Sequence, residues 1–344
     1  MTSALKVIQP GIHTTVQDLG RKGFQDAGVP VAGPLDRLSL RLANALVGNP
    51  LDTAALELVL QGPALEVQAD AVRVALAGCN TAIEIGGDQP RTIPAGQSVR
   101  LVRGETLRVT QLGDAACAYL AVEGGFDIVP VLGSVATYVR GGMGGLNGAA
   151  LKRDDTLPLR HGNAPERPEL GLPGPADLAF DAPVRVVLGP QDDYFTEAGV
   201  ATFLSGEYTV TPQSDRMGFR MDGPPLEHAK GYNIVSDGIV SGSIQVPGSG
   251  MPIVLLADAQ TTGGYPKIAT VISADLPVLG RRRPGRKVRF AAVTASEAEQ
   301  ARRDQEAELQ RIIAALCEVS AEAAIDVAAL YRENLISGVI SHRS

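Results

Sequence analysis

Short apolar segments interrupted by glycine and proline are the feature that most limits what this chain can fold into. The 344 residues include 39 Gly and 23 Pro, spread along the whole chain. The gaps between the apolar segments are too short or too rich in glycine for the helices of a doubly wound fold. The pattern therefore predicts a mostly β protein built as barrels or sandwiches. The predicted strands are 72–77, 98–102, 107–112, 118–122, 184–188, 208–211, 253–256, 269–272 and 288–293.

Signals for helices occur at three places. Asp36 precedes an amphipathic segment that ends at Gly48, which predicts a helix with Asp36 as its N-cap. Residues 294–297, Thr-Ala-Ser-Glu, have the pattern of a capping box and predict a second helix with apolar residues at core spacing. A third helix is predicted from about Ser320, again with one apolar face.

A stretch rich in glycine and proline, without apolar periodicity, divides the chain into two β-rich parts. It covers residues 161–183 and has the composition of a linker. We therefore predict an N-terminal domain at 1–160, a C-terminal domain at 184–293 and a helical C-terminal extension at 294–344.

Charge and composition exclude several partners and compartments. A net charge of -7, with no Trp, argues against binding to nucleic-acid phosphates or stacking on bases. No stretch reaches the roughly 20 apolar residues of a membrane helix, and the N-terminus lacks the pattern of a secretory signal. The three cysteines form no C-x-x-C pair, as is typical of a reducing compartment. We expect a cytoplasmic protein with neither nucleic-acid nor membrane partners.

Several common catalytic motifs are absent from the sequence. There is no P-loop, no G-x-S-x-G nucleophile elbow and no histidine pair at zinc-binding spacing, so we expect no metal site. No lysine is flanked by methionines, so we expect no covalent biotin on this chain. Cys79 follows a strand and could be a nucleophile, but core packing is the more frequent role of a lone cysteine.

Two arginine-bearing loops have the composition of anion sites. In segment 17–36, Arg21 lies among glycines, and an arginine binds carboxylate or phosphate through two parallel hydrogen bonds. In segment 214–220, Asp215 and Arg216 offer charge and orientation to an anionic substrate. The structural alternative in both loops is a local ion pair, which is common on protein surfaces.

Two further loops carry polar side chains beside turns. Asp192 and Asp193 could bind a cation or act as acid and base, but the start of a short helix is the favoured interpretation. Segment 242–267 is more informative, because it combines amides, hydroxyls and a cation at the ends of apolar strands, as expected of a pocket that recognises an amide or a carboxylate. The residues concerned are Gln245, Gln260, Thr262, Tyr265 and Lys267.

The loop motifs resemble those of a known family. The sequence reads QDLGR at 17–21, SDRMG at 214–218, GSIQVP at 242–247 and QTTGGYP at 260–266. In this order, over about 7–293, the motifs are similar to those of the KipA group. That group includes the C subunit of 5-oxoprolinase and proteins labelled allophanate hydrolase subunit 2, and it resembles half of the carboxyltransferase region of urea carboxylase. The resemblance implies two tandem cyclophilin-like β-barrel domains.

The resemblance also implies a function. It points to one component of an ATP-dependent 5-oxoprolinase that opens the lactam of 5-oxo-L-proline to L-glutamate together with partners that resemble the A and B subunits of that enzyme. ATP, alone or with Mg²⁺, would be bound by the complex. Developing phosphoryl charge needs cations, and the ring needs polar groups that orient it. On this interpretation the catalytic residues are Arg216, Lys267 and Asp215, and the substrate-binding residues are Arg21, Gln245, Gln260, Thr262 and Tyr265.

The sequence departs from the family pattern at two places and leaves alternatives open. Residues 133–137 read Gly-Ser-Val-Ala-Thr where the family usually has Gly-Ser-Arg-Ser-Thr, and residues 144–147 read Gly-Gly-Leu-Asn where a Gly-Arg pair is common. Because the arginine of the family motif is missing at residues 133–137, the substrate could differ from 5-oxo-L-proline. One alternative is a carboxyltransferase component that works on a biotin carrier supplied by another protein. The other is a regulatory protein that binds a partner which inhibits a kinase.

Overall fold

A computed structural model describes residues 3–174 and 182–319 and shows a mostly β protein, as predicted. The N-terminal half consists of one helix and the first eleven strands. These elements are β1 (Ala4–Gln9), β2 (His13–Gln17), α1 (Arg37–Leu46), β3 (Ala55–Val59), β4 (Ala64–Val67), β5 (Ala71–Ala77), β6 (Ile83–Gly86), β7 (Arg91–Ile93), β8 (Ser98–Val102), β9 (Thr106–Val109), β10 (Cys117–Val122) and β11 (Thr156–Pro158).

The remaining described elements begin with a short strand in the predicted linker. They are β12 (Leu170–Gly171), β13 (Val184–Leu188), α2 (Glu197–Ser205), β14 (Tyr208–Val210), β15 (Gly218–Asp222), β16 (Asp237–Gly238), β17 (Ser243–Gln245), β18 (Ile253–Leu255), β19 (Thr262–Gly263), β20 (Lys267–Val271), α3 (Leu276–Gly280), β21 (Lys287–Val288), β22 (Phe290–Ala292), α4 (Ala295–Ala314) and β23 (Cys317–Glu318).

Two antiparallel sheets enclose the core of the N-terminal half. One has the order β11-β1-β4-β9-β6-β7 and the other β2-β3-β10-β5-β8. All residues of β5 are buried because the strand is covered on both faces. Its Val74 and Leu76 face the core between the sheets, whereas Ala75 and Ala77 face α1. The small alanines allow the helix to pack closely on the sheet, which explains an apolar run without alternation.

One eight-stranded sheet forms the body of the C-terminal half. Its order is β21-β14-β15-β18-β17-β20-β13-β22, and it curls into a nearly closed barrel. The pair of β13 and β22 is parallel, and the other pairs are antiparallel. Inside it, the ring of Phe203 from α2 stacks on Phe290 at 4.7 Å between centroids.

The predicted caps of α1 and α4 are confirmed. Asp36 Oδ1 accepts hydrogen bonds from the first turn of α1, and both bonds of the Thr294–Glu297 capping box are present. The short helix predicted to start at Asp192 or Asp193 does begin at Asp192, but it does not continue towards Phe203. These aspartates begin a single 3₁₀ turn, and the extended backbone at Phe195 separates it from α2, whose N-cap is Thr196. The helix predicted from Ser320 lies outside the described residues.

The predicted linker is attached to the N-terminal half over its first part. Arg73 of β5 donates hydrogen bonds to Glu169 and to the carbonyl oxygen of Pro165. Strand β12 pairs with β23, so the chain returns to the N-terminal half after α4. The domain boundaries at 160, 183 and 293 stay predictions. Nowhere in 3–174 or 182–319 does a helix combine the length and apolar character that crossing a bilayer requires.

Candidate functional site

A cleft of about 800 Å³ lies between the two halves and is bordered by α4. Its walls come from three distant parts of the chain. The N-terminal half contributes the loop before α1 and the first turns of that helix. The C-terminal half contributes residues 239–241, 256–257, 259–261, 273 and 276–277, and α4 adds Arg302, Gln305 and Glu306. The volume is that of a small-molecule site, typically about 300–1,000 Å³.

Glycines shape the loop that forms the N-terminal wall. Gly20 and Gly33 have φ values of +87° and +80°. A Cβ on Gly20 would lie 2.6 Å from the carbonyl oxygen of Val31, and one on Gly33 would lie 3.0 Å from the Gly20 nitrogen. Only glycine tolerates both this conformation and this contact. The glycine of the QDLGR motif is therefore needed to fold the wall.

Arg216 lies buried directly behind the cleft. Its Nε and Nη2 donate to the two carboxylate oxygens of Asp258 at 2.9 and 2.8 Å, and Nη2 also donates to the Gly33 carbonyl oxygen at 2.7 Å. Nη1 donates to Glu57 of the N-terminal half. Burial alone would lower the pKa of Arg216, but the charges of Glu57 and Asp258 raise it above its ordinary value. The side chain is a permanent cation that joins the two halves.

The carboxylate of Glu57 connects this ion pair to the cleft wall. Its Oε2 accepts hydrogen bonds from the Leu35 amide at 2.9 Å and from the Tyr119 hydroxyl at 2.5 Å. Burial and the neighbouring Glu57 charge raise the pKa of Tyr119 well above its ordinary value, so the hydroxyl remains a donor. Because Leu35 lines the cleft, the buried network fixes the position of that wall.

Arg21 and Asp215 lie outside the cleft. Arg21 is buried below the glycine loop 141–148, where Nη2 donates to the Ala136 carbonyl oxygen, and burial lowers its pKa. Within the described residues its Nη1 has no hydrogen-bond partner. Asp215 is exposed, accepts from the Met217 amide at 2.8 Å and lies 3.6 Å from Arg140.

A second polar group surrounds Lys267 at one end of the C-terminal sheet. Lys267 is buried, and its Nζ donates to Asp237 Oδ2 at 2.5 Å and to the Gly238 carbonyl oxygen at 2.8 Å. Gln191 donates to the same Asp237 oxygen at 3.1 Å and accepts from the Lys267 amide at 3.1 Å. The hydrogen bonds from Lys267 and then Gln191 lower the pKa of Asp237 to about 2.

Most of the predicted amide-recognising residues join this Lys267 group. Gln245 pairs with Lys267 across β17 and β20, and its Nε2 donates to the Tyr265 carbonyl oxygen at 3.3 Å. The short strands β16 and β19 pair Gly238 with Thr262. The side chains of Thr262 and Tyr265 are exposed beside them.

The predicted residues thus do not share one cavity. One group contains Gln245, Thr262, Tyr265 and Lys267. Gln260 precedes β19 and lies on the cleft wall. Of the eight predicted residues, Gln260 is the one that lines the cleft. Arg216 lies behind its wall, and Arg21 and Asp215 lie outside the cleft. The roles assigned to all eight stay predictions.

Sequence reasoning assigned no role to the cations that line the cleft. Lys22, Arg37, Arg41 and Arg302 all line it. Arg37 and Arg41 are one turn apart on α1, a spacing that places them on the same helix face. No signal in the sequence pairs them with Arg302, which is more than two hundred residues away.

Cys79 is buried, in agreement with the packing role that the sequence favoured. Burial raises the pKa of the Cys79 thiol to about 11, which suits packing rather than nucleophilic attack. In the part of the chain that the structure describes, no group of three or more His, Cys, Asp or Glu residues could hold a metal ion.

Comparisons with known proteins agree on one family. The model of the carboxyltransferase domain, subdomain A and B, matches residues 27–292. The chain is 36% identical to the C subunit of 5-oxoprolinase from Escherichia coli over 303 residues, which cover 88% of this chain and 95% of that protein.

Longer proteins contain the same unit. The chain is 33% identical to urea amidolyase of Lachancea kluyveri over 335 residues, which cover 90% of this chain and 18% of that protein. The crystal structure of Kluyveromyces lactis urea amidolyase superposes with a TM-score of 0.83 at 29% identity, covering 93% of this chain and 20% of that one. Sequence, fold and motif order agree, and the chain belongs to the carboxyltransferase family of subdomains A and B that includes the C subunit of 5-oxoprolinase.

Proposed function

We propose that this chain is one component of an ATP-dependent 5-oxoprolinase complex that hydrolyses 5-oxo-L-proline to L-glutamate. The supporting observation is the extent of the match. Two proteins named as C subunits of 5-oxoprolinase are matched over 95% and 94% of their length, whereas a urea amidolyase is matched over 18%. Because both relatives are named as subunits, we infer that this chain also works with partner chains. We take those partners to resemble the A and B subunits of the same enzyme.

The polar side chains of the cleft wall and of the neighbouring Lys267 group suit the orientation of a lactam. A cyclic amide presents a carbonyl oxygen and an N–H on the same side, and glutamine side chains can donate to the first and accept from the second. Gln245 and Gln260 are the candidates in this chain, with the hydroxyls of Thr262 and Tyr265 beside them. Lys267 supplies a cation whose position is fixed by Asp237 and Gly238.

The glycine loop 141–148 does not have the form of a phosphate-binding loop. The glycine loop 141–148 packs against Ala136, Thr137 and Tyr138 instead of opening a helix N-terminus towards phosphate. We therefore assign ATP and its Mg²⁺ to the complex and place no phosphoryl-transfer step on this chain. Its own residues bind and orient the lactam.

Reconstitution tests the proposed activity. The purified chain alone should be nearly inert, and adding the A and B subunits should release glutamate and ADP from 5-oxo-L-proline. If the three folded proteins together release neither product, the proposal is wrong.

A pair of adjacent glycines gives a matched test of the Lys267 group. A Cβ on Gly263 would lie 2.5 Å from Gln245 Nε2, whereas on Gly264 the nearest atom is 3.5 Å away. In the active complex, Gly263→Ala should raise KM for 5-oxo-L-proline because Gln245 must move, and Gly264→Ala should behave as wild type. Equal KM values for the two variants would argue against a role for Gln245 in binding.

The carboxyltransferase alternative is favoured by the TM-score of 0.83 to Kluyveromyces lactis urea amidolyase. It expects that the chain, with its partners, transfers a labelled carboxyl group from a carboxybiotin carrier. Transfer without any release of glutamate would replace the 5-oxoprolinase proposal.

A further inference from the structure

Helices α1 and α4 bring three guanidinium groups to one wall of the cleft. They belong to Arg37 and Arg41 on α1 and to Arg302 on α4. Arg41 is occupied by a two-bond ion pair with Glu306, at 2.6 and 2.7 Å. Neither Arg37 nor Arg302 makes a hydrogen bond or an ion pair with any residue in 3–174 or 182–319. Two cations in the cleft thus lack a carboxylate at hydrogen-bond distance, although the charge of Glu306 acts on Arg302 from one turn along α4.

The charges around Arg37 repel it. Partial burial is the largest cause that lowers the pKa of Arg37, and the positive charges of Arg302 and Arg41 lower it further. Asp36 opposes them, but its carboxylate is already bonded to Arg281 and to the start of α1. Such an arrangement is stabilised when an anion enters between the cations.

The cleft lining is positive although the chain is negative. Its cations are Lys22, Arg37, Arg41 and Arg302, and its anions are Asp52 and Glu306. This excess of two positive charges lies in a protein of net charge -7. An excess of this kind attracts small anions to the cleft.

Neutral polar groups occupy the rest of the lining. Gln25, Gln260, Thr261 and Gln305 can donate and accept hydrogen bonds, and Leu38 and Leu276 add apolar surface. The cleft is therefore suited to a small molecule with one anionic group and a neutral remainder.

We propose that Arg37 and Arg302 form an oxyanion-binding subsite that takes a carboxylate or phosphoryl group, while Glu306 holds Arg41 beside it. The family match ends at residue 292, and α4 begins at Ala295. One arm of the subsite thus comes from a helix beyond the matched region. The inference does not depend on the proposed function, because it is tested on this chain alone.

Titration calorimetry of the full chain at low ionic strength tests the subsite. The probes are inorganic phosphate and, separately, 5-oxo-L-proline as a carboxylate. Arg302→Gln should weaken binding of the preferred probe at least about tenfold, since it removes charged hydrogen bonds. Tighter binding of phosphate would identify a phosphoryl ligand, and tighter binding of 5-oxo-L-proline a carboxylate ligand.

The next residue of α4 provides the matched control. Arg303 carries the same charge, but it donates to Gln300 and does not line the cleft. Arg303→Gln should change the affinity by less than about twofold, because only long-range charge is lost. Equal weakening in both variants, or no binding of either probe at millimolar concentration, would overturn the proposal.

Thermal melting separates an anion site from a structural role. Without anion, Arg302→Gln should melt close to wild type, since the variant loses both the repulsion from Arg37 and the attraction to Glu306. Phosphate or 5-oxo-L-proline, whichever binds, should raise the melting temperature of wild type but not of Arg302→Gln. A variant that melts lower than wild type and still gains stability from the probe would show that Arg302 is structural.

Discussion

The sequence singled out Arg216 as a candidate site residue but did not reveal its ion-pair partners. The sequence left open a local ion pair with the adjacent Asp215 as the alternative to contact with an anionic substrate. The carboxylate partners of Arg216 are instead Glu57, 159 residues away, and Asp258, 42 residues away. Local sequence cannot reveal such pairs, because they are created by the packing of the two halves.

Replacing Arg216 tests its structural contribution. Arg216→Met should lower the free energy of unfolding by about 3–5 kcal/mol, because it leaves two carboxylates buried without their cation. Urea denaturation measures the loss. Arg220→Met, at an exposed position of β15, should change stability by no more than about 0.5 kcal/mol.

Arg216→Lys keeps the charge but cannot make the two-bond contact with Asp258, so we expect intermediate stability. A stable Arg216→Met chain whose complex has lost turnover would support the catalytic role that the sequence predicted.

The ion pair of Asp237 and Lys267 predicts a dependence on pH. The folded pKa of Asp237 is about 2, below its ordinary value of 3.8. The pair should therefore stabilise the protein fully above about pH 4, and this contribution should disappear as the pH falls through about 2. Melting curves of wild type and Asp237→Asn should differ at neutral pH and converge in acid.

Asp222→Asn is the control for that measurement. Asp222 is exposed and, within the described residues, makes no ion pair. Its replacement should leave the melting temperature close to that of wild type throughout. A gap between wild type and Asp237→Asn that persists at pH 2 would contradict the predicted titration.

Among the helices and strands, those features that depend on nearby residues were predictable. The caps of α1 and α4 act within three residues, and strands β8 and β13 have the predicted bounds. Pairing was not predictable, because the parallel contact of β13 with β22 joins segments about a hundred residues apart. The start of α2 was missed because Thr196, rather than an aspartate, satisfies its first turn.

The capping box of α4 gives a test at this level. Thr294→Ala should destabilise the helix by about 1 kcal/mol, since the Glu297 amide loses its acceptor. Hydrogen exchange of 295–300 should speed up. Ser296→Ala, an exposed position of the first turn without a capping bond, should leave exchange unchanged, and similar exchange in both variants would argue against the cap.

The two halves together form the cleft, and local motifs could not predict it. Motif order was sufficient to identify the family, because each motif is continuous in sequence. The cleft is discontinuous, since its walls come from the loop before α1, from 239–277 and from α4. The ion pairs Arg216–Glu57 and Arg281–Asp36 join the halves behind it.

These buried contacts predict joint unfolding. Calorimetry should show one transition whose calorimetric and van't Hoff enthalpies agree. The transition should stay single at high salt, because ions screen exposed pairs far more than buried ones. Two separate transitions in wild type would mean that the halves unfold independently.

Helix α4 also determines how the cleft can change its width. The helix has 20 residues, so it is about 30 Å long. It starts after β22 of one half, is bonded through Glu306 to α1 of the other, and continues into β23, which is paired with β12. Because α4 is attached to both halves, it resists a hinge motion that would widen the cleft. Ligands therefore have to enter by the open side of a preformed groove, and their association should proceed at the rate of diffusion rather than wait for a slow gating motion.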